Sequence, residues 1–249
     1  MSYLETAVAA AQEAGGMLRE NFHEEKVVDA AEHHDLKLEL DRRCQEAIFA
    51  RIHRDFPEHA LYGEEGIGGN QESEYQWIVD PIDGTVNFFY GIPHFCVSVA
   101  MRKGEEILVG VIYDPMVDEL WVAEKGGEAL LNGKPIRVSE RATIEESLLF
   151  VGTGKDQAAM DTGMERFVRA SNRARKMRMM GSAALGMVYV ASGRLDGFVE
   201  SRLSLWDVAA GALILECAGG EAQLTPNASE PNVLAVVATN GKIPIEEIL

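Results

Sequence analysis

The chain has 249 residues, of which 47% are hydrophobic, so it can bury one large core or the cores of two subdomains that share an interface. This composition excludes an intrinsically disordered protein. Lys and Arg number 23 and Asp and Glu number 40, which gives a net charge of −17. Such a negative surface argues against general binding to nucleic acids or to anionic membranes. It would also repel a phosphorylated small molecule unless cations at the binding site reverse the local charge.

The cysteines Cys44, Cys96 and Cys217 are far apart and form no CxxC pair, so the sequence predicts neither a disulfide framework nor a zinc site. This usage is typical of a reducing cytoplasm. The N-terminal segment interrupts its apolar pattern with acidic residues and lacks a basic start, and no apolar run is long enough to cross a bilayer. We therefore expect no signal peptide, no membrane contact and a cytoplasmic location.

The first predicted elements in chain order are two amphipathic helices, over residues 4–22 and 39–55, with apolar residues at three-to-four spacing. A short apolar step at 60–62 leads into Gly63, and the apolar run from Trp77 to Val79 predicts a buried strand. Residues 95–138 alternate apolar runs with Gly-containing turns, which indicates a series of strands. The N-terminal part is therefore predicted to be rich in strands and capped by two helices.

The second half alternates strands and helices. A buried strand is predicted within SLLFVGTG, helices over 161–177 and 182–192, a strand in LDGFVES, a helix in WDVAAGALILECAGG and a final strand in VLAVVATN. We therefore expect two subdomains, a mixed α+β part over 1–145 and an alternating α/β part over 146–249.

Several carboxylates lie where the predicted strands or helices begin or end. They are Asp35, Asp41, Glu64, Glu65, Asp80, Asp83 and Asp207. Carboxylates in such places are costly unless they are paired, hydrogen-bonded or bound to a metal. Hard oxygen ligands suit Mg²⁺ or Mn²⁺, and the sequence offers no clustered His and Cys set for zinc.

The segment DPIDGT, residues 80–85, carries two of these carboxylates directly after the apolar strand. Pro81 restricts the backbone between them, so that both side chains and the carbonyl of Ile82 can face one point. Gly84 permits a close approach, the following N–H groups can bind a phosphate, and the hydroxyl of Thr85 can align a water. The pattern indicates a metal and phosphate site.

Each acidic segment also has a simpler interpretation. DPIDG can be an ordinary turn, Gly63-Glu64-Glu65 a solvated loop end, Asp35 and Asp41 a charged entry to a helix, and Asp207 a helix cap. It is the coexistence of these segments in one chain that favours a metal site.

Three motifs resemble those of the inositol monophosphatase family of lithium-sensitive, Mg²⁺-dependent phosphatases. They are Gly63-Glu64-Glu65, the segment from Trp77 to Phe88 with DPIDGT followed by an Asn-Phe pair, and Trp206-Asp207 at the start of a small-residue helix. Their order and approximate spacing agree with the family, and the resemblance extends over essentially the whole chain. It implies an αβαβα layered sandwich and a homodimer.

The resemblance also implies roles for individual residues. Glu64, Asp80 and the Ile82 carbonyl resemble the ligands of a first Mg²⁺ (Mn²⁺ is an alternative), and Asp80, Asp83 and Asp207 those of a second, with Glu64 near a possible third. Thr85 and Asp41 resemble the pair that orients the attacking water, so the predicted catalytic residues are Glu64, Thr85 and Asp41. The predicted substrate contacts are Asp83, Gly84, Thr85, Ser182, Ala183 and Glu200.

Some positions depart from the family pattern or leave alternatives open. The segment that often reads D-L-V-T in the family is Asp35-Leu36-Lys37-Leu38 here, and no residue is assigned to the mobile-loop lysine, although Lys26 is nearby in sequence. The basic cluster between Arg169 and Arg178 is either a solvated helix face, a site for a second phosphate or part of a dimer contact. His33 and His34 are expected in a surface turn.

The leading hypothesis is a phosphatase that hydrolyses inositol 1-phosphate or a related small phosphorylated polyol or sugar. Fructose-1,6-bisphosphatase, histidinol phosphatase and 3′-phosphoadenosine 5′-phosphate nucleotidase are alternatives on the same fold. Val86-Asn87-Phe88 after the DGT step argues against the nucleotidase branch. A non-enzymatic alternative is an inactive binding protein that retains the fold.

Overall fold

The computed structural model describes residues 1–32, 35–154, 156–228, 230 and 232–249, so His33 and His34 lie outside the described residues. The helices in these ranges are α1 (Tyr3–Asn21), α2 (Glu39–Asp55), α3 (Thr85–Phe89), α4 (Gln157–Ser171), α5 (Ala183–Ala191) and α6 (Leu205–Cys217). The strands are β1 (Val28–Glu32), β2 (Asp35–Leu38), β3 (Ala60–Gly63), β4 (Gly66–Gly69), β5 (Tyr75–Asp83), β6 (Cys96–Lys103), β7 (Glu106–Asp114), β8 (Glu119–Glu124), β9 (Leu130–Leu131), β10 (Lys134–Pro135), β11 (Leu148–Val151), β12 (Lys176–Arg178), β13 (Gly197–Ser204), β14 (Glu221–Pro226) and β15 (Val233–Thr239). Short 3₁₀ turns cover Ile144–Glu146 and Ile245–Glu247.

The strands form two large sheets and one hairpin. The first sheet has eight strands in the order β10-β9-β8-β7-β6-β5-β3-β4, and the second has five in the order β12-β11-β13-β15-β14. β1 and β2 form a separate antiparallel hairpin. The first sheet is antiparallel except for the β3–β5 pair, which runs parallel because the chain returns from β4 before entering β5.

The two sheets are stacked with helices between and outside them. α1 and α2 pack on one face of the eight-stranded sheet, α5 and α6 fill the space between the sheets, and α4 covers the outer face of the five-stranded sheet. This is the αβαβα layered sandwich expected from the family resemblance. One apolar core lies under α1 and α2, and a second lies around α5 and α6 between the sheets.

Local sequence explains how the helices begin and how closely they pack. α1 starts at Ser2, whose hydroxyl accepts from the Glu5 amide at 3.1 Å while the Glu5 carboxylate accepts from the Ser2 amide at 2.8 Å. α6 approaches the first sheet so closely that a Cβ on Gly110 would lie 2.7 Å from the Ala210 carbonyl oxygen. The small residues of α6 and Gly110 in β7 therefore bring Asp207 against the sheet that carries DPIDGT.

Most predicted elements are present, with several differences. The helix predicted over 161–177 ends at Ser171, and residues 176–178 form the edge strand β12 instead, because the chain turns at Asn172 and pairs with β11. The strands β1, β2, β4 and β14 were not predicted. In the described part of the chain no helix is both long and apolar enough to span a membrane.

The sheets change over near the proposed subdomain boundary, since residues up to 135 build the first and residues from 148 build the second. The core between the sheets includes side chains from both halves, such as Ile78 and Val236. The division at 145/146 stays a prediction.

Candidate active site

The end of β5 brings the first two aspartates of the site together. The pairing of β5 with β6 shifts register between Asp80 and Asp83, so the strand bulges at Pro81 and Ile82. The Ile82 amide donates to Asp80 Oδ1 at 3.0 Å, which holds the bulge closed. Gly84 follows with φ +104°, a conformation that L-residues rarely adopt, and it directs the chain into the short helix α3 at Thr85.

Asp207 enters the same place from α6. The Ser204 amide donates to Asp207 Oδ2 at 2.6 Å, so the carboxylate lies at the beginning of its helix. Oxygen atoms of Asp80, Asp83 and Asp207 all lie within 4.8 Å of one another. Asp80 and Asp83 are buried and Asp207 is half-buried.

Glu64 adds a fourth carboxylate. Its amide donates to the Val79 carbonyl at 3.2 Å, which fixes the residue beside the end of β5, and it lines the same pocket as the three aspartates. The next residue, Glu65, pairs with Lys37 at 2.9 Å. Lys37 is therefore the cation of the β1–β2 hairpin that reaches this acidic region, whereas the amine of Lys26 donates to the carbonyl of Phe22.

The electrostatics of these carboxylates disfavour their ionisation when no cation is bound. Burial raises the pKa of Asp80 well above its ordinary value, and the charges of Glu64, Asp83 and Asp207 raise it further. Burial likewise raises the pKa of Asp83, although hydrogen bonds oppose this. A dense, buried set of hard oxygen donors fits Mg²⁺ or Mn²⁺. The site therefore has the donor chemistry that the family resemblance implies.

Asp41 and Thr85 meet at the edge of the pocket. The Thr85 hydroxyl lies 2.9 Å from the Ile82 carbonyl oxygen and 3.3 Å from Asp41 Oδ1, while the Leu38 amide donates to Asp41 Oδ2 at 2.7 Å. Burial, with contributions from Glu64 and the neighbouring Glu65, raises the pKa of Asp41 to about 8. Asp41 is thus a carboxyl group that can exchange a proton near neutral pH.

The beginning of α5 is bound to Asp83. The Ser182 hydroxyl and the Ala184 amide (2.8 Å) donate to Asp83 Oδ2, and the Ala183 amide donates to Oδ1 at 3.2 Å. The buried Ser182 hydroxyl also accepts from the Leu185 amide at 3.3 Å. Sequence reasoning placed Ser182 against the substrate. The structure brings it to the pocket, but its hydroxyl is engaged with Asp83.

Two contacts at the site were not predicted: one between Cys96 and Asp83, and one between Gly154 and Glu200. Cys96 lies 3.7 Å from Asp83 Oδ2, and its position beside the site became visible only through the pairing of β6 with β5. The Gly154 amide donates to Glu200 Oε1 at 3.3 Å, so the loop after β11 holds that carboxylate. The Gly turn in SLLFVGTG was the only signal for this loop.

The predicted residues converge on one cavity of about 260 Å³. Its lining includes Glu64, Asp80, Ile82, Asp83, Gly84, Thr85, Ser182, Ala183, Glu200 and Asp207. Asp41 contacts it through Thr85. None of the residues of the basic cluster between Arg169 and Arg178 lines it, and Arg173 instead pairs with Glu145 and Glu247.

Comparisons with known proteins agree with this geometry. The model of the inositol monophosphatase family matches residues 1–242. The chain is 41% identical over 251 residues to inositol monophosphatase 2 of Solanum lycopersicum, covering 97% of this chain and 94% of that protein. It is 40% identical over 186 residues to a fructose-1,6-bisphosphatase/inositol-1-monophosphatase of Thermotoga maritima, covering 75% of this chain and 70% of that protein.

Among solved structures, the extragenic suppressor protein suhB of Bartonella henselae superimposes with a TM-score of 0.89 at 33% identity, covering 98% of this chain and 96% of that one. Full-length sequence and structural similarity thus accompany the acidic pocket built by DPIDGT, Glu64 and Asp207. The chain belongs to the inositol monophosphatase family.

Proposed function

We propose that the protein is a Mg²⁺-dependent phosphomonoesterase that hydrolyses inositol 1-phosphate or a related sugar phosphate by direct attack of water. The observation that carries this proposal is the convergence of Glu64 with Asp80, Asp83 and Asp207 on one pocket, the three aspartates with oxygen atoms within 4.8 Å of one another. Family membership supports the reaction class. The substrate panel below tests it.

Glu64, Asp80 and the Ile82 carbonyl would hold one Mg²⁺, and Asp80, Asp83 and Asp207 a second. A third ion beside Glu64 is part of the proposal, and Mn²⁺ is an alternative metal. Bound divalent ions supply the positive charge that a phosphate needs in this acidic chain, and they lower the pKa of a bound water.

The residues of the chain perform the remaining tasks. Asp41 accepts the proton of the attacking water through the Thr85 hydroxyl, since that hydroxyl lies 3.3 Å from Asp41 Oδ1. Backbone N–H groups at Gly84 and Thr85 bind phosphate oxygens. The Thr85 hydroxyl, held beside the Ile82 carbonyl at 2.9 Å, keeps the water in line with the phosphorus.

The leaving group lies toward the second half of the chain. Glu200 is half-buried in the pocket wall, and the Gly154 amide holds one of its oxygens, so the carboxylate is oriented to accept from a substrate hydroxyl. Ala183 contributes backbone and a small side chain beside the ring. Ser182 acts by holding Asp83.

Fructose 1,6-bisphosphate is the second candidate substrate, because the name of the Thermotoga maritima relative includes both activities. Homodimer formation is also part of the proposal. Tyr90, Ile92 and Met179 are large apolar residues that are 70%, 49% and 47% exposed. Their segments are joined by Asn87, whose side-chain amide donates to the carbonyls of His94 and Met180 at 2.8 Å. The three free cysteines fit the cytoplasmic location that we propose.

The test is phosphate release from inositol 1-phosphate, fructose 1,6-bisphosphate, histidinol phosphate and 3′-phosphoadenosine 5′-phosphate, with Mg²⁺, with chelator, and with Mg²⁺ plus Li⁺. We expect Mg²⁺-dependent release that Li⁺ inhibits, with inositol 1-phosphate preferred. Asp80→Asn removes a proposed metal ligand and should abolish this release. Asp114→Asn is its matched control, because Asp114 is also buried but accepts from backbone amides outside the pocket. Release of no phosphate from any substrate would favour the inactive binding protein instead.

A further inference from the structure

A second cavity lies behind the acidic pocket. Its volume is about 420 Å³, and it opens between the first sheet and the β14–β15 hairpin. Its walls include Tyr62 at the end of β3, Gln76 and Arg102 from β5 and β6, Leu205 at the start of α6, and Leu234 of β15. The cavity and the acidic pocket share no lining residue.

Arg102 supplies a positive charge in this cavity. Its Nε and one terminal nitrogen lie 3.0 and 2.7 Å from the single oxygen Oε1 of Gln76, which fixes the plane of the guanidinium. Within the described ranges no carboxylate lies within ion-pair distance of Arg102. Gln76 thus occupies the edge formed by Nε and one terminal nitrogen. A guanidinium has a second edge suited to bidentate binding of a carboxylate or phosphoryl group, formed by its two terminal nitrogens, and this edge is left for a ligand.

Other parts of the lining are apolar and partly aromatic. Leu205 and Leu234 face the cavity together with the half-buried Tyr62, whose ring centroid lies 5.3 Å from that of Trp206. An oriented cation and apolar side chains thus line one space of small-molecule size.

We propose that this cavity is a second binding site, for a small organic anion whose carboxylate or phosphoryl group binds Arg102 and whose apolar body packs against Tyr62 and Leu205. Glu105, an exposed carboxylate at the rim, weakens binding of an anion without preventing it. The site differs from the acidic pocket in charge, because it needs no metal to attract an anion. Tyr62 and Leu205 each lie two residues before a carboxylate of the acidic pocket, Glu64 and Asp207.

The probes are benzoate and phenylphosphonate, which share an apolar ring and carry the two anionic groups, with benzyl alcohol and benzylammonium as ring-matched controls. Calorimetry measures binding to the full-length protein, once with Mg²⁺ and once with chelator. A change in tryptophan fluorescence on binding reports on Trp206, whose ring lies beside that of Tyr62. The other two tryptophans, Trp77 and Trp121, are fully buried in the core. We expect the affinity of each anion to be the same with and without Mg²⁺. The ratio of the affinity for benzoate to that for phenylphosphonate identifies the preferred anionic group.

Arg102→Gln should weaken binding of the anions at least about tenfold, because a charged hydrogen-bond pair is lost. Arg102→Lys should retain part of the affinity, and Glu105→Gln should increase it about twofold. Near-ultraviolet circular dichroism checks that each variant is folded. Glu105→Gln tests whether removing a negative charge at the rim strengthens anion binding, and it changes no buried group. Equal affinity for benzyl alcohol, unchanged affinity in Arg102→Gln, or binding that requires Mg²⁺ would each overturn the proposal. The last result would place the anion in the acidic pocket and leave the proposed phosphatase activity untouched.

Discussion

Asp41→Asn should make the metal-free protein more stable at pH 8 while it removes most of the activity. Asp41 is 1% exposed, and burial raises its pKa from 3.8 to about 8. Below the unfolded pKa the group is protonated in both states and costs nothing. As the pH rises from about 4 through 8, the unfolded chain releases this proton before the folded chain does, so the free energy of unfolding falls.

The size of the change in the free energy of unfolding follows from the shift in the pKa of Asp41. One pKa unit corresponds to about 1.4 kcal/mol, so a carboxyl group with a folded pKa of about 8 makes the protein lose about 4 kcal/mol between pH 5 and pH 8. An asparagine at position 41 cannot carry this charge. It can still accept from the Leu38 amide, and its own amide can donate to the Thr85 hydroxyl, which in turn donates to the Ile82 carbonyl. The substitution therefore preserves the local hydrogen bonds.

The assay is urea unfolding in chelator at pH 5 and pH 8, for the original protein, Asp41→Asn and the exposed control Asp161→Asn. Between pH 5 and pH 8, the free energy of unfolding of the original protein and of Asp161→Asn should fall by about 4 kcal/mol more than that of Asp41→Asn. Mg²⁺ should narrow the difference, because bound cations offset the repulsion from Glu64 and Glu65. Parallel pH dependences of the original protein and Asp41→Asn in chelator would refute the assignment of a raised pKa to this group.

Other predictions concern the remaining groups of the site. Mg²⁺ binding at pH 7 should release protons, measurable by calorimetry in two buffers of different ionisation enthalpy, and buffer-independent heats would contradict the raised pKa values of Asp80 and Asp83. Asp80→Asn should lose more than about 100-fold in kcat and remain folded, because it removes a ligand shared by two proposed ions; a Mg²⁺-dependent enzyme with normal kcat would exclude the shared ligand. Ser182→Ala should raise the Mg²⁺ concentration for half-maximal activity about tenfold and Ser182→Thr should restore it, since threonine keeps the hydroxyl that donates to Asp83 and alanine lacks it; equal effects of the two variants would argue for a packing role. Glu200→Gln should change the ranking of substrates more than the Mg²⁺ dependence, and an unchanged ranking would argue against substrate contact.

The carboxylates of DPIDGT could be predicted to act together because they are adjacent in sequence and follow an apolar strand. Their meeting with Asp207, more than 120 residues later, came from the family resemblance, since no local pattern predicts which helix end faces a given strand. The structure supplies the physical reason. Gly110 lets α6 lie close to the first sheet, and the Ser204 amide orients Asp207 toward Asp80 and Asp83.

Other features could not be predicted from local patterns. The apolar spacing of 161–177 continues past Ser171, but pairing of 176–178 with β11 outweighs that helical pattern. The role of Lys37 was also hidden, because a charged residue in a short hairpin shows its partner, Glu65, only after folding. In both cases contacts between segments distant in sequence decide the outcome.

The two central aspartates of the site differ in how far the protein itself supports them. Asp83 receives donors from the Ser182 hydroxyl and the amides of Ala183 and Ala184, which oppose the rise of its pKa. For Asp80, burial and the charges of Glu64, Asp83 and Asp207 dominate, and all of them raise its pKa. Asp80 therefore depends on bound cations more than Asp83 does. Asp83 belongs to the first half of the chain, and the helix α5 that donates to it belongs to the second. The hydrogen bonds that oppose the rise in the pKa of Asp83 therefore also join the two halves at the site.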